Sequence, residues 1–137
     1  MLLARAWSPA VALMVAIGWL SHRPQWPSPL EGYPDWLLHG LAYGALGAAC
    51  YWGASAELRR PGARAALLAL VVAVGYGAFD EWHQSLVPGR DASLHDWLAD
   101  AVGALAGSAA AWACAAIRRA GPAHRRGVCP PSGGMGT

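Results

Sequence analysis

The chain has 137 residues, of which 55% are hydrophobic and only 13% charged, and its formal net charge is +2. Soluble domains carry about 25% charged residues, and here the charges fall in short blocks between long apolar runs, so the composition reads as an integral membrane protein rather than one compact soluble domain. No basic face interleaved with stacking aromatics is present, which leaves nucleic-acid binding without support.

Four apolar runs follow in chain order. The first, Trp7 to Leu20, has Pro9 near its start, where a missing N–H is harmless. Arg5 ahead of an apolar core also fits a secretory signal peptide, but the SHRPQWP stretch after Leu20 offers no small-x-small cleavage site, so a retained helix is favoured. The second, Trp36 to about Ala54, would span about 28 Å as a helix and cross a bilayer. The third runs from about Ala65 to Phe79, with continuation through Glu81 to Gln84 left open, and the fourth from about Trp97 to Ile117. Turn formers separate them: Pro24, Pro27, Pro29 and Pro34, then Pro61-Gly62, then Pro88-Gly89.

The expected architecture is therefore all-α, an integral membrane bundle of four transmembrane helices. It comprises a membrane domain over 1–119 and a Gly/Pro/Arg-rich tail over 120–137, expected to be disordered and cytoplasmic. Cys50 and Cys114 lie inside apolar runs and Cys129 in the tail; without a CxxC pair or ligand-like spacing to histidine, they predict apolar packing and neither disulfide nor zinc site.

Orientation is read from arginine alone, because the chain has no lysine. With both termini cytoplasmic, the inner segments hold Arg5, Arg59, Arg60, Arg64, Arg118, Arg119, Arg125 and Arg126, and the outer loops only Arg23 and Arg90, in line with the positive-inside rule. Trp7, Trp19, Trp36, Trp52, Trp82, Trp97 and Trp112 fall near the ends of the spans, as interfacial rings do.

The same topology gathers Asp80, Glu81, Asp91, Asp96 and Asp100 at the outer face, with His83, His95 and Arg90 among them. Ionisable groups at membrane depth cost roughly 2.5–3.5 kcal/mol each at mid-bilayer on insertion scales, so they mark a functional site by default. Asp35, His39 and Tyr43 are spaced by four and stack on one helix face, although a lone histidine there is often a packing residue. Asp96 and Asp100 repeat that spacing, and their face continues through Gly103 and Gly107, a pair suited to close helix contact in lipid. Asp96 also fits a hydrated helix N-terminus. Glu81 and Gln84 share a face, and Arg90 follows the Pro88-Gly89 turn. A guanidinium there suits either a salt bridge to Asp96 or Glu81, or an oxyanion of an anionic headgroup.

The combination Asp35-x-x-x-His39-x-x-x-Tyr43, Glu81-x-x-Gln84, Pro88-Gly89-Arg90, Asp96 and Gly103-x-x-x-Gly107 resembles the VanZ-like family of small bacterial membrane proteins, over about Asp35 to Gly107. The resemblance implies a multi-spanning protein and a link to resistance to the glycopeptide teicoplanin, and it carries no defined molecular activity. Family members often have a lysine after the first aspartate and an asparagine at the position of Asp100; here Trp36 and Asp100 stand there. His83 and His95 receive no role from it.

Three functions are compatible with these residues. In the first, an outward pocket of Asp35, His39, Tyr43, Glu81, Gln84, Arg90, Asp96 and Asp100 binds or remodels an anionic envelope lipid, a lipid-linked glycan or a peptidoglycan precursor, lowering glycopeptide susceptibility. In the second, an intramembrane hydrolase or transferase acts on such a lipid, with Glu81 or Asp96 as general base and His39 as acid; clustered carboxylates with histidine could instead hold a divalent cation. In the third, the polar residues only tie helices together. No nucleophile motif or HExxH is present, so binding ranks ahead of chemistry and no cofactor or metal ligand set is assigned. The expected partner is membrane lipid, with self-association into a homo-oligomer left open.

Overall fold

A computed structural model describes residues 2–23, 30 and 32–120, with the backbone alone at 2 and 3. It has four helices, α1 (Leu2–Ser21), α2 (Asp35–Glu57), α3 (Ala63–Gln84) and α4 (Leu94–Ala120), and no strand among the described residues. Each expected run is a helix, and each helix is longer than its apolar run. The α3 helix continues through Gln84, so Glu81 and Gln84 belong to it. The α4 helix begins at Leu94, which places both Asp96 and Asp100 on it. Pro24, Trp26, Pro27 and Pro29 lie outside the described residues, as does the expected tail beyond Ala120, which closes α4.

The α2 helix is the centre of the bundle. It packs against all three others and most extensively against α4, whereas α1 rests on α2, meets α3 in a few places and does not touch α4. Close approach of α2 and α4 follows from their small residues. A Cβ on Gly103 would run into the Gly40 carbonyl, one on Gly107 into the Gly44 carbonyl, and one on Gly47 into the backbone of Ala104. Gly40, Gly44 and Gly47 thus complete the seam that Gly103-x-x-x-Gly107 begins, and van der Waals contact between backbones takes the place of large side chains. The Ser108 hydroxyl donates within α4 to the Ala104 carbonyl at 2.7 Å, with the Gly47 carbonyl across the seam 3.3 Å from its Oγ.

The distribution of side-chain size is the reverse of that in a water-soluble bundle. Buried positions are filled largely by alanine, including Ala54, Ala65, Ala69, Ala73 and Ala104, each 0% exposed, while Val15, Leu41, Val71 and Val102 are each more than 60% exposed. In water such broad apolar surface would drive association; in lipid it costs nothing, and small residues inside are what packing requires. Trp19, Trp36, Trp52, Trp82 and Trp112 are also exposed, and α3 and α4 are each long and apolar enough to cross a membrane. Cys114 departs from its expected packing, being exposed on α4, while Cys50 is buried on α2.

The short turns behave as their sequences dictate. Arg90 N–H donates to the Val87 carbonyl at 3.1 Å with Gly89 at φ 85°, a type II turn with Pro88 and Gly89 at its centre. At the opposite end of the bundle, Arg59 ends α2 with φ 52°, a left-handed conformation more usually given to glycine. The α1 helix is fixed by the Trp7 ring against Gly53 and by the Tyr76 hydroxyl, which donates to the Met14 carbonyl at 2.6 Å.

Candidate functional site

The antiparallel run of α2, α3 and α4 brings the start of α2, the end of α3 and the start of α4 to one end of the bundle, together with the end of α1. Three ionisable side chains converge there. His39, one turn into α2, puts Nδ1 2.9 Å from Asp100 Oδ1 and 4.0 Å from Glu81 Oε1. A carboxylate can only accept, so at 2.9 Å the Nδ1–H tautomer donates to Asp100. Asp100 is fully buried and Glu81 is 7% exposed. The close backbone approach of Gly40 and Gly103, adjacent to these residues, sets the separation at which His39 and Asp100 meet.

Glu81 has two roles at its two oxygens. Its Oε2 accepts the backbone N–H of Ser93 at 2.8 Å, while the Ser93 hydroxyl accepts the N–H of Asp96 at 3.3 Å as the N-cap of α4. In a capping box a side chain of the same helix returns to the cap's N–H; here Glu81 reaches it from α3, locking the 85–93 connection over the site. Its Oε1 faces His39 and has no hydrogen-bond partner among the described residues, and the same is true of Asp100 Oδ2 and the Tyr43 hydroxyl.

A second group adjoins the first. Asp80, 2% exposed, accepts at Oδ2 from the Ser21 hydroxyl at 2.7 Å and from Gln84 Nε2 at 3.2 Å, and the His22 and His83 rings stack beside them with centroids 5.5 Å apart. Gly77 keeps room between the groups, since a Cβ there would lie 3.1 Å from Asp100 Oδ2 and 3.2 Å from Tyr43 Cε1. Two openings reach this region. A cavity of about 120 Å³ between α1, α2 and α3 is lined by Ile17, Leu20, Leu38 and Ala42, with Ser21, His39, Tyr43 and Asp80 at its polar side. A shallower depression of about 270 Å³, bounded by Ala78, Ser93, Leu94 and Trp97, reaches Glu81 from the opposite flank.

Of the residues singled out from sequence, His39, Tyr43, Glu81, Gln84 and Asp100 are buried at this end. Asp35 is instead exposed as the first residue of α2, and Asp96 is half-buried with its carboxylate 3.6 Å from His95 Nδ1. Arg90 is half-buried on the turn, and the Ser93–Glu81 bond ties the connection to α3. Asp80 and Ser21 are the residues that spacing missed. Asp80 and Gln84 are four apart and could have been paired as Asp35 and His39 were, but nothing in the sequence places the end of α1 against α3.

The sequence matches the VanZ/LLP1 family over residues 11–116. No curated protein and no solved structure matches it.

Proposed function

The chain belongs to the VanZ/LLP1 family, and from that premise we propose that it is a four-span membrane protein whose outward polar site binds an amphipathic anionic lipid, of the class of lipid-linked glycan or peptidoglycan precursors. One observation carries this function: the buried Asp80 carboxylate and the His39 imidazole, with Ser21 and Tyr43, line a cavity of about 120 Å³ whose other walls are apolar, and the carboxylates of Asp100 and Glu81 stand 2.9 Å and 4.0 Å from that imidazole. A ligand that is polar at one end and hydrocarbon at the other satisfies both. Sugar hydroxyls would donate to Glu81 Oε1 and Asp100 Oδ2, the acceptors with nothing yet to accept, and Arg90 would meet the phosphate. Occupying such a precursor would lower the access of a teicoplanin-type glycopeptide to its target.

Four spans with both termini cytoplasmic fit the placement of arginine. Arg59, Arg60, Arg64, Arg118 and Arg119 lie at the end of the bundle opposite His39, Glu81 and Asp100, which would put the polar site outside. Native mass spectrometry of the purified protein with polyprenyl phosphate against phosphatidylcholine tests the binding. Retention of polyprenyl phosphate that falls with Arg90→Ala is expected; equal retention of both lipids, unaffected by Arg90→Ala, contradicts the proposal.

The His39–Asp100 pair at 2.9 Å favours a second function, hydrolysis or group transfer on the same lipid, because a carboxylate that orients an imidazole is how a general base is set. Turnover of a polyprenyl-linked substrate that is lost in Asp100→Asn, with lipid retention unchanged, would select it.

A further inference from the structure

We propose that His39, Glu81 and Asp100 form a binding site for one divalent cation of mixed nitrogen and oxygen preference, Zn²⁺ or Mn²⁺. The three residues come from three helices and each offers one ligand atom, all within 4.8 Å of one another. With metal–ligand bonds of about 2.0–2.2 Å, atoms sharing one coordination sphere stand roughly 3–4 Å apart. The observed separations of 2.9 Å and 4.0 Å from His39 Nδ1 bracket that range.

The state of Glu81 is the independent sign that something belongs there. Its Oε1 is directed at His39 from a side chain that is 10% exposed, and among the described residues it accepts no hydrogen bond. Rotation of the carboxylate could give it a water-exposed partner, but Oε2 is already committed to Ser93 N–H at 2.8 Å and holds the group in place. A ligating carboxylate with its second oxygen fixed by an outer hydrogen bond is how metal sites orient their donors.

Charge points the same way. Asp80, Glu81 and Asp100 are all buried, and among the described residues their only ionic contacts are those of His39 with Glu81 and Asp100. One imidazole, even protonated, leaves an excess of negative charge in a region where unpaired charge is costly. A divalent cation bound to neutral His39 balances Glu81 and Asp100 fully. On binding, the cation takes the place of the Nδ1 proton, and the ring stays neutral with its one proton on Nε2. The depression beside Ala78 and Trp97 reaches Glu81 from the surface and supplies a route. One imidazole with two carboxylates selects Zn²⁺ or Mn²⁺ over ions bound by oxygen alone.

The test uses the full chain in detergent, stripped with chelator and titrated calorimetrically with Zn²⁺ and with Mn²⁺, with bound metal counted by mass spectrometry. No lipid substrate is added, so the result is independent of whether the protein binds a glycan precursor. One equivalent of Zn²⁺ or Mn²⁺ is expected, with affinity lowered about tenfold or more in Glu81→Gln, Asp100→Asn and His39→Ala and unchanged in Glu57→Gln, at the far end of α2. Should His39→Ala fail to fold, Glu81→Gln still decides, since glutamine can keep the bond from Ser93. No stoichiometric binding by the wild-type chain, or equal affinity in Glu81→Gln with its melting temperature preserved, overturns the proposal.

Discussion

The α2 and α4 helices are built in two different ways along one shared contact. Where Gly40, Gly44 and Gly47 face Gly103 and Gly107, backbones touch and no side chain intervenes. At the end of the same seam, His39 and Asp100 meet through polar atoms, and an oxygen of Asp100 and one of Glu81 have no hydrogen-bond partner among the described residues. The seam is complete by itself; the polar end is not. Packing in lipid is satisfied by small residues, and interhelical polar contacts contribute only about 0.6 kcal/mol on average. The seam therefore acts as a frame that fixes the distance between ionisable groups.

The largest expected effect breaks the frame. In Gly107→Leu the new side chain meets the Gly44 carbonyl, and because backbone rather than a flexible side chain must yield, the loss should reach the upper end of overpacking costs, about 3 kcal/mol. Its melting temperature in detergent should fall the furthest of all, and the His39–Asp100 contact should be lost with it. Asp100→Ala keeps the seam but strands His39 Nδ1; about 1–3 kcal/mol is expected for an unsatisfied buried donor, read by the same melt.

Ser93→Ala removes the cap of α4 but leaves the backbone N–H that Glu81 binds, so a loss of about 1 kcal/mol is expected, with the site's binding preserved. Ser93→Pro removes that N–H as well, and binding should weaken. The smallest effect lies at the arginine end. Arg59 sits at φ 52°, and since a left-handed conformation costs an L-residue roughly 1–2 kcal/mol, Arg59→Gly should stabilise slightly or leave the melt unchanged, with no effect on binding.

Much of this division was legible in the chain. Four apolar runs and their Pro-Gly turns place the helices, and the spacing of His39 with Tyr43 and of Asp96 with Asp100 places polar faces, because helical periodicity is a local property. The partners across the bundle were less accessible. Gly103-x-x-x-Gly107 announces a close contact, but that its counterpart is Gly40, Gly44 and Gly47 depends on how α2 and α4 pair. The same holds for Ser21 with Asp80, which are joined only because α1 returns beside α3. Spacing puts Asp35 on one face with His39, but it cannot tell that Asp35, the first residue of α2, is exposed while His39, one turn on, is buried. The backbone of Ser93, invisible to any pattern of side chains, is what holds Glu81.

The claim that the polar end serves a ligand while the seam serves the fold is tested most directly by one paired measurement on Glu81→Gln. Thermal melting in detergent and retention of a polyprenyl-linked sugar are recorded on the same preparation. A melting free energy within about 0.5 kcal/mol of the wild type, the range of substitutions that disturb no packing, together with loss of lipid retention, is the predicted result. Unchanged retention would contradict it by taking Glu81 out of the lipid contact, and unfolding of the variant would contradict it by making Glu81 a structural tie.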